Sequence, residues 1–280
     1  MPFSVSNYDI SITEVLVLPS VFRLLLVSII NGEPLAGAKV KKVAQNELDF
    51  VASIAYRDKS DSRKDSHFCS GALISSRHVL TNEHCILSKN VAKVVIYLGS
   101  PDVRSAKEYF PAKWTSFGSW YYKKYNDIIP NLDISDAAII TLRKAVNPEK
   151  IKPARISYEP LEKLEGSQVI IAGWGTLMDS SKSTYLKKAI VNVESNAVCS
   201  KVASLMSVVK EKFLCTSAKP VVFTKSGDRG GPVLDAALNV IAITSGNHFP
   251  KDKDPHSAVN VHVNVLYYKD FITDCLKHLV

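Results

Sequence analysis

The sequence predicts an all-β fold, a sandwich or barrels, followed by a C-terminal helix. Short apolar runs, many of them β-branched, recur between polar turns along most of the chain. Helical spacing stands out in only two segments, both in the second half. The proline- and charge-rich stretch 145–153 (AVNPEKIKP) reads as a linker between two halves.

In chain order, the runs 50–56, 71–74, 91–98 and 137–142 read as strands before the linker. Those at 168–172, 188–193, 233–234, 240–243 and 258–265 read as strands after it. Their Val and Ile content suits a pleated, half-buried surface. A helix is predicted over 196–209, with Ser195 or Asn196 as the cap. A second is predicted over 266–279, where apolar residues fall near helical spacing. Residues 15–30 (VLVLPSVFRLLLVSII) are strongly apolar but broken by Pro19 and Arg23. That is too short and too interrupted for a membrane span, and no membrane association is expected. Residues 1–28 read instead as a signal peptide or N-terminal extension.

The 280 residues are 46% hydrophobic, enough for one large all-β domain or two small ones. Net charge is +8, with lysines in short scattered clusters (Lys39, Lys41, Lys42; Lys123, Lys124; Lys187, Lys188; Lys251, Lys253). This pattern describes a solvated surface better than a dedicated polyanion site, which stays as a lesser reading. No Walker, zinc-finger or nucleic-acid motif occurs, so no nucleic-acid partner and no cofactor are expected. There are five cysteines. Cys69 and Cys85, like Cys199 and Cys215, stand 16 residues apart, a spacing that suits short disulfide loops in an oxidising compartment. Cys275 is left over, as a buried bystander or a site of intermolecular pairing. His248, His256 and His262 lack ligand spacing and have no cysteine among them, so no metal site is expected there.

Five motifs then follow in order. Cys69-Ser70-Gly71-Ala72-Leu73-Ile74 precedes Val79-Leu80-Thr81-Asn82-Glu83-His84-Cys85. Asp136 opens the apolar run 137–142. Gly173-Trp174-Gly175 follows an apolar strand, and Ser195 to Cys199 leads on to Cys215. Last comes Gly227-Asp228-Arg229-Gly230-Gly231-Pro232. On these motifs the chain, from Ile29 to its C-terminus, resembles the trypsin/chymotrypsin family of serine proteases. The resemblance implies two antiparallel six-stranded β-barrels, 29–147 and 148–265, with a C-terminal helix over 266–280 and a cleft between the barrels. It makes His84 the general base and Asp136 the group that orients it. It assigns an oxyanion hole to the backbone N–H groups of Gly227 and Arg229. It pairs Cys69 with Cys85 and Cys199 with Cys215. Ile29-Ile30-Asn31-Gly32 resembles the family's mature N-terminus, so signal cleavage after Ser28 would let the α-amino group of Ile29 pair with Asp228. Calcium loops of the family rely on paired acidic residues, and 86–104 contains only Asp102, so no metal is expected.

The departures concentrate at one place. Arg229 stands where the family carries its nucleophilic serine. A guanidinium is a permanent cation and cannot attack a carbonyl. Ser226 lies three positions upstream, where the resemblance puts it on the pocket rim, away from the histidine. Phe223 occupies the base of the specificity pocket, where it is expected to fill the space. Lys225 replaces a bracing cysteine, and Ser245 a tryptophan. Thr244, Gly246 and Asn260 take the remaining pocket-wall positions. Together these changes predict a secreted, extracellular, non-catalytic homologue that binds protease partners, substrates or inhibitors. An active serine endopeptidase is the alternative, and requires a serine at 229 or another nucleophile. A polyanion-binding protein is the third reading.

Overall fold

Short apolar runs build two antiparallel sheets, and the sheets position everything that follows. The computed structural model describes residues 39–57, 62–127, 135–177, 181–202, 210–248 and 258–277. Before the linker these form β1 (Lys41–Lys42), β2 (Val51–Tyr56), β3 (His67–Ser75), β4 (His78–Thr81), β5 (Val94–Leu98), β6 (Lys107–Tyr109), β7 (Pro111–Ser116) and β8 (Ala138–Leu142). After it come β9 (Gln168–Gly173), β10 (Lys187–Val193), β11 (Phe213–Ser217), β12 (Pro232–Leu234), β13 (Val240–His248) and β14 (Val259–Asn264). The longer helices are α1 (Phe117–Tyr125), α2 (Asn196–Val202) and α3 (Lys269–Lys277).

The first sheet runs β6-β5-β2-β3-β4-β8-β7. Its end strands β6 and β7 are separated only by Phe110, so they are two parts of one kinked segment. One part pairs with β5 and the other with β8, which curls the sheet around on itself. The second sheet closes as a ring, because β9 pairs with both β12 and β10. The expected barrel architecture is therefore present as one closed six-stranded barrel and one half-barrel curled by the bent segment. The boundary at 29–147 needs one correction. β1 pairs with β10, and Val40 packs into the core of the second sheet. The two residues of β1 find a free stretch of backbone there, beside Lys187 and Lys188.

Two buried clusters hold the sheets, the larger drawing on both and the smaller on the second alone. Ile54, Leu73, Val79, Ile96, Ile139 and Ile140 are almost wholly buried in the first, and Ile171, Leu214, Val233 and Ile241 in the second. Burying such side chains stabilises the fold by roughly 1.5–3 kcal/mol each. The linker is strapped down as it crosses. Val146 and Ile151 are buried in the first core, and the Ala154 N–H donates to the Leu73 carbonyl at 2.9 Å. Ile156 then bridges to Val240 in the second sheet.

The predicted strands coincide with observed ones, apart from their ends. Residues 91–93 of the run 91–98 form a 3-10 turn, because the Asn90 side chain caps it by accepting from the Ala92 N–H at 2.9 Å. The 196–209 helix is seen as α2, and 203–209 lie outside the described residues. The 266–279 helix is seen as α3. Helix α1 was not anticipated. The Ser116 hydroxyl caps its start, and Asn126 ends it in a left-handed conformation at φ 51°.

Candidate functional site

The two sheets bring the expected residues together at one cleft. β4 leads through Asn82 into the short turn Glu83–Ile86, which carries His84. The Asn82 amide donates to the Asp136 carbonyl at 3.0 Å, so this turn is tied to the start of β8. The Cys69–Cys85 disulfide ties it to β3, with Cα atoms 6.1 Å apart. His84 Nδ1 lies 2.9 Å from both carboxylate oxygens of Asp136. The His84 backbone N–H adds a third contact at 3.0 Å. The Asp136 carboxylate thus holds the proton on Nδ1 and leaves Nε2 as the free, basic nitrogen. Beside this pair, Glu83 is shielded from water, and burial pushes its pKa up, with the charge of Asp136 adding to the shift.

One residue joins the pair that the sequence did not reveal. The Ser245 hydroxyl donates to Asp136 Oδ2 at 3.2 Å. In the β13–β14 ladder Thr244 pairs with His262 and Gly246 with Val261, so Ser245 is the extra residue of a bulge. The bulge re-aims its side chain toward Asp136. Thr244, expected on the pocket wall, is buried with its hydroxyl 3.3 Å from His262 Nδ1.

The loop 227–232 hangs from the second sheet and is locked to the first. Ser70 N–H donates to the Arg229 carbonyl at 2.8 Å. The Gly227 carbonyl accepts from Ser70 Oγ at 2.9 Å and from His67 Nε2 at 3.0 Å. His67 is fully buried, and that burial pushes its pKa down to about 3. It is therefore neutral, with Nε2 protonated toward Gly227 and Nδ1 accepting from the Ser53 hydroxyl at 2.8 Å. Asp228 is buried, and its carboxylate accepts from the N–H groups of Gly175 and Lys225, both at 2.7 Å. Side chains at 173 or 175 would collide with that carboxylate, since an added Cβ falls 2.3 and 2.4 Å from its atoms. This accounts for the Gly-Trp-Gly motif. Ile29, the expected partner of Asp228, lies outside the described residues.

The same bonds orient two backbone N–H groups. The Ser226 carbonyl accepts from Thr176 N–H at 2.8 Å, and the Asp228 carbonyl from Gly231 N–H at 3.0 Å. Because a trans peptide points its N–H opposite to its carbonyl, the N–H groups of Gly227 and Arg229 point away from Thr176 and Gly231. Neither forms a hydrogen bond among the described residues. Arg229 itself is exposed, and its guanidinium lies against Gly246, with Nη2 and Nε 3.8 and 3.9 Å from where a Cβ would stand. Among the described residues no hydrogen bond joins Ser226 to His84.

Phe223 is half-buried on the wall of a cavity of about 570 Å³, which Gly246 also lines. Asn260 is buried. Its amide accepts from Thr224 N–H and donates to the Val222 carbonyl, both at 2.9 Å. A side chain on β14 thereby ties down the segment that carries Phe223. Asn247 adds a bond to the Thr224 carbonyl at 2.8 Å.

Cys199–Cys215 is the second disulfide and joins α2 to β11. Cys275 is free, and burial pushes its thiol up to about 11, which slows thiol exchange. Cys69, His84 and Cys85 place three potential ligand atoms within 4.8 Å of one another. Both sulfurs belong to the disulfide, so neither is a thiolate that binds metal. No helix among the described residues is long and apolar enough to cross a membrane.

A family model described as Trypsin matches residues 39–272. Venom serine protease 34 of Apis mellifera is 31% identical over 171 residues, covering 59% of this chain and 41% of that protein. Phenoloxidase-activating factor 3 of Holotrichia diomphalia is 27% identical over 182 residues, covering 59% and 50%. Trypsin delta of Drosophila melanogaster is 26% identical over 187 residues, covering 66% and 70%. The chain thus spans about half the length of the first two. Among solved structures, neuropsin, a serine protease expressed in the limbic system of mouse brain, superposes with a TM-score of 0.68 at 21% identity, covering 85% of this chain and 99% of that one. The VesB protease of Vibrio cholerae gives 0.66 at 20% identity, covering 84% and 66%. At such identity these two likenesses speak for the fold alone.

Proposed function

The chain belongs to the trypsin family, and from that premise we propose that it is a secreted serine protease homologue that binds protein partners without cleaving them. The observation that carries this reading is Arg229, at the nucleophile position of a loop whose His84–Asp136 pair stays joined at 2.9 Å. A guanidinium has no lone pair to offer, and His84 has no serine hydroxyl to deprotonate at that position. Loss of the nucleophile from a triad costs on the order of 10⁶ in turnover in subtilisin. What survives is a cleft and two loop N–H groups that make no hydrogen bond among the described residues. Two disulfides suit an oxidising, extracellular compartment. A relative named as a phenoloxidase-activating factor makes a protein partner the natural expectation.

Labelling with a fluorophosphonate, which phosphonylates activated serines with loss of fluoride, tests the reading. The native protein is expected to stay unlabelled. Arg229→Ser is expected to be labelled, because His84, Asp136 and the two N–H groups are already positioned. Labelling of the native protein that disappears in His84→Ala would overturn the reading in favour of an active endopeptidase.

A further inference from the structure

We propose that the cleft around Arg229 binds the carboxylate of a peptide partner, either an acidic side chain or a free C-terminus. The inference builds on the non-catalytic reading above and names the ligand chemistry of the same cleft.

Charge comes first. The described lining of the cavity includes Lys89, Lys225 and Arg229, together with His84, and no aspartate or glutamate. Asp136 stands behind His84, where three donors already hold its carboxylate: the His84 N–H, His84 Nδ1–H and the Ser245 hydroxyl. The Arg229 side chain makes no hydrogen bond or ion pair among the described residues, and it is exposed. An anion that reaches it displaces only water.

Geometry then selects a carboxylate. Arginine presents a planar fork that pairs with both oxygens of a carboxylate. The same loop carries the N–H groups of Gly227 and Arg229, unbonded among the described residues. A carboxylate has about four lone-pair sites, and fork and backbone together supply donors for them. The fork lies over Gly246, with Nη2 3.8 Å from where a Cβ would stand, an ordinary van der Waals contact. Phe68 and Phe223 line the same cavity and offer apolar walls to the rest of a peptide. That combination of one anion site and aromatic walls fits a peptide better than a uniformly charged polymer.

Fluorescence anisotropy with labelled hexapeptides tests the proposal. One peptide ends in a free carboxylate, one is its amide, and a third is the amide with an internal glutamate. At low salt, at least one carboxylate-bearing peptide is expected to bind about tenfold or more tightly than the plain amide, the scale of a charge-assisted hydrogen bond. Which of the two binds identifies the source of the carboxylate. Arg229→Gln is expected to erase the preference, and Lys225→Gln to weaken it. Equal binding of acid and amide, or a preference that survives Arg229→Gln, overturns the proposal. So does a heparin fragment that outcompetes every peptide in an Arg229-dependent way, which would reassign the cleft to polyanions. Fluorophosphonate labelling of the same samples separates the two failures. A labelled native protein removes the non-catalytic reading, whereas an unlabelled one without carboxylate preference removes only this inference.

Discussion

Gly227 is where the cleft is most sensitive to a single atom. Its φ of 96° lies in the left-handed region, which side chains disfavour. A Cβ added there would fall 2.8 Å from His67 Nε2, the donor that holds its carbonyl. Gly227→Ala therefore combines backbone strain with the loss of a buried hydrogen bond to a neutral histidine. Roughly 2–4 kcal/mol of destabilisation is expected from these two effects together. A urea titration of the purified variant measures it, and a midpoint equal to that of the native protein would refute the argument. At this scale the sequence was legible wherever a residue type is forced by its place in the chain. His84, Asp136, Gly227 and Arg229 stand in short motifs and come together as expected. Ser245 and Asn260 were not legible in the same way. One depends on a bulge that shifts the register between Thr244 and Gly246, and the other on a strand side chain reaching across to 222–224. Neither event leaves a local signature.

Among the elements, α1 shows what periodicity misses. Its sequence FGSWYYKKY runs aromatics together and carries a glycine in its first turn, so no helical stripe stands out. Its stability comes from packing on α3 and its neighbours. Phe117 meets Tyr268 edge-on at 4.8 Å and Phe271 at 5.7 Å. Trp120 Nε1 donates to Asp274 at 3.1 Å, and Lys124 reaches the same carboxylate at 2.8 Å. Phe117→Ala should cost about 3–5 kcal/mol, the range for emptying a buried aromatic site. Thermal unfolding followed by near-ultraviolet circular dichroism would show it as a lowered midpoint, and an unchanged midpoint would mean that this cluster is ornamental. Strands with consecutive β-branched residues, such as β5 and β8, were readable because their runs can only be buried on a sheet. The strands β1, β6 and β7 carry lysine, glutamate and proline, and pair because the backbone beside them is free.

Across the whole molecule, three buried histidines link stability to pH, and burial lowers His78, at the start of β4, from an ordinary 6.5 to about 4. His67 in β3 connects Ser53 of the first sheet to the Gly227 loop of the second. His262 in β14 sits between Thr216 and Thr244 in the second sheet. Burial lowers both from an ordinary 6.5 to about 3. In the unfolded chain each takes up a proton as pH falls through 6.5, whereas in the folded chain each stays neutral until about pH 3. The unfolded state therefore binds more protons across that window, and stability drains away as pH falls through it. Above pH 6.5 their contribution is complete. Each histidine that follows this course contributes a slope of about 1.4 kcal/mol per pH unit. Urea titrations at about pH 7.5 and about pH 5 should then differ by roughly 2 kcal/mol for each histidine. His262→Gln keeps an amide within reach of Thr216 and removes one of three titrating groups, so its profile should be flatter than the native one by about a third. A native profile that stays level between those two pH values would show that the buried imidazoles are hydrated on a timescale that lets them take up protons without unfolding. The interlock between the two sheets at Gly227 would then not be governed by the charge of His67.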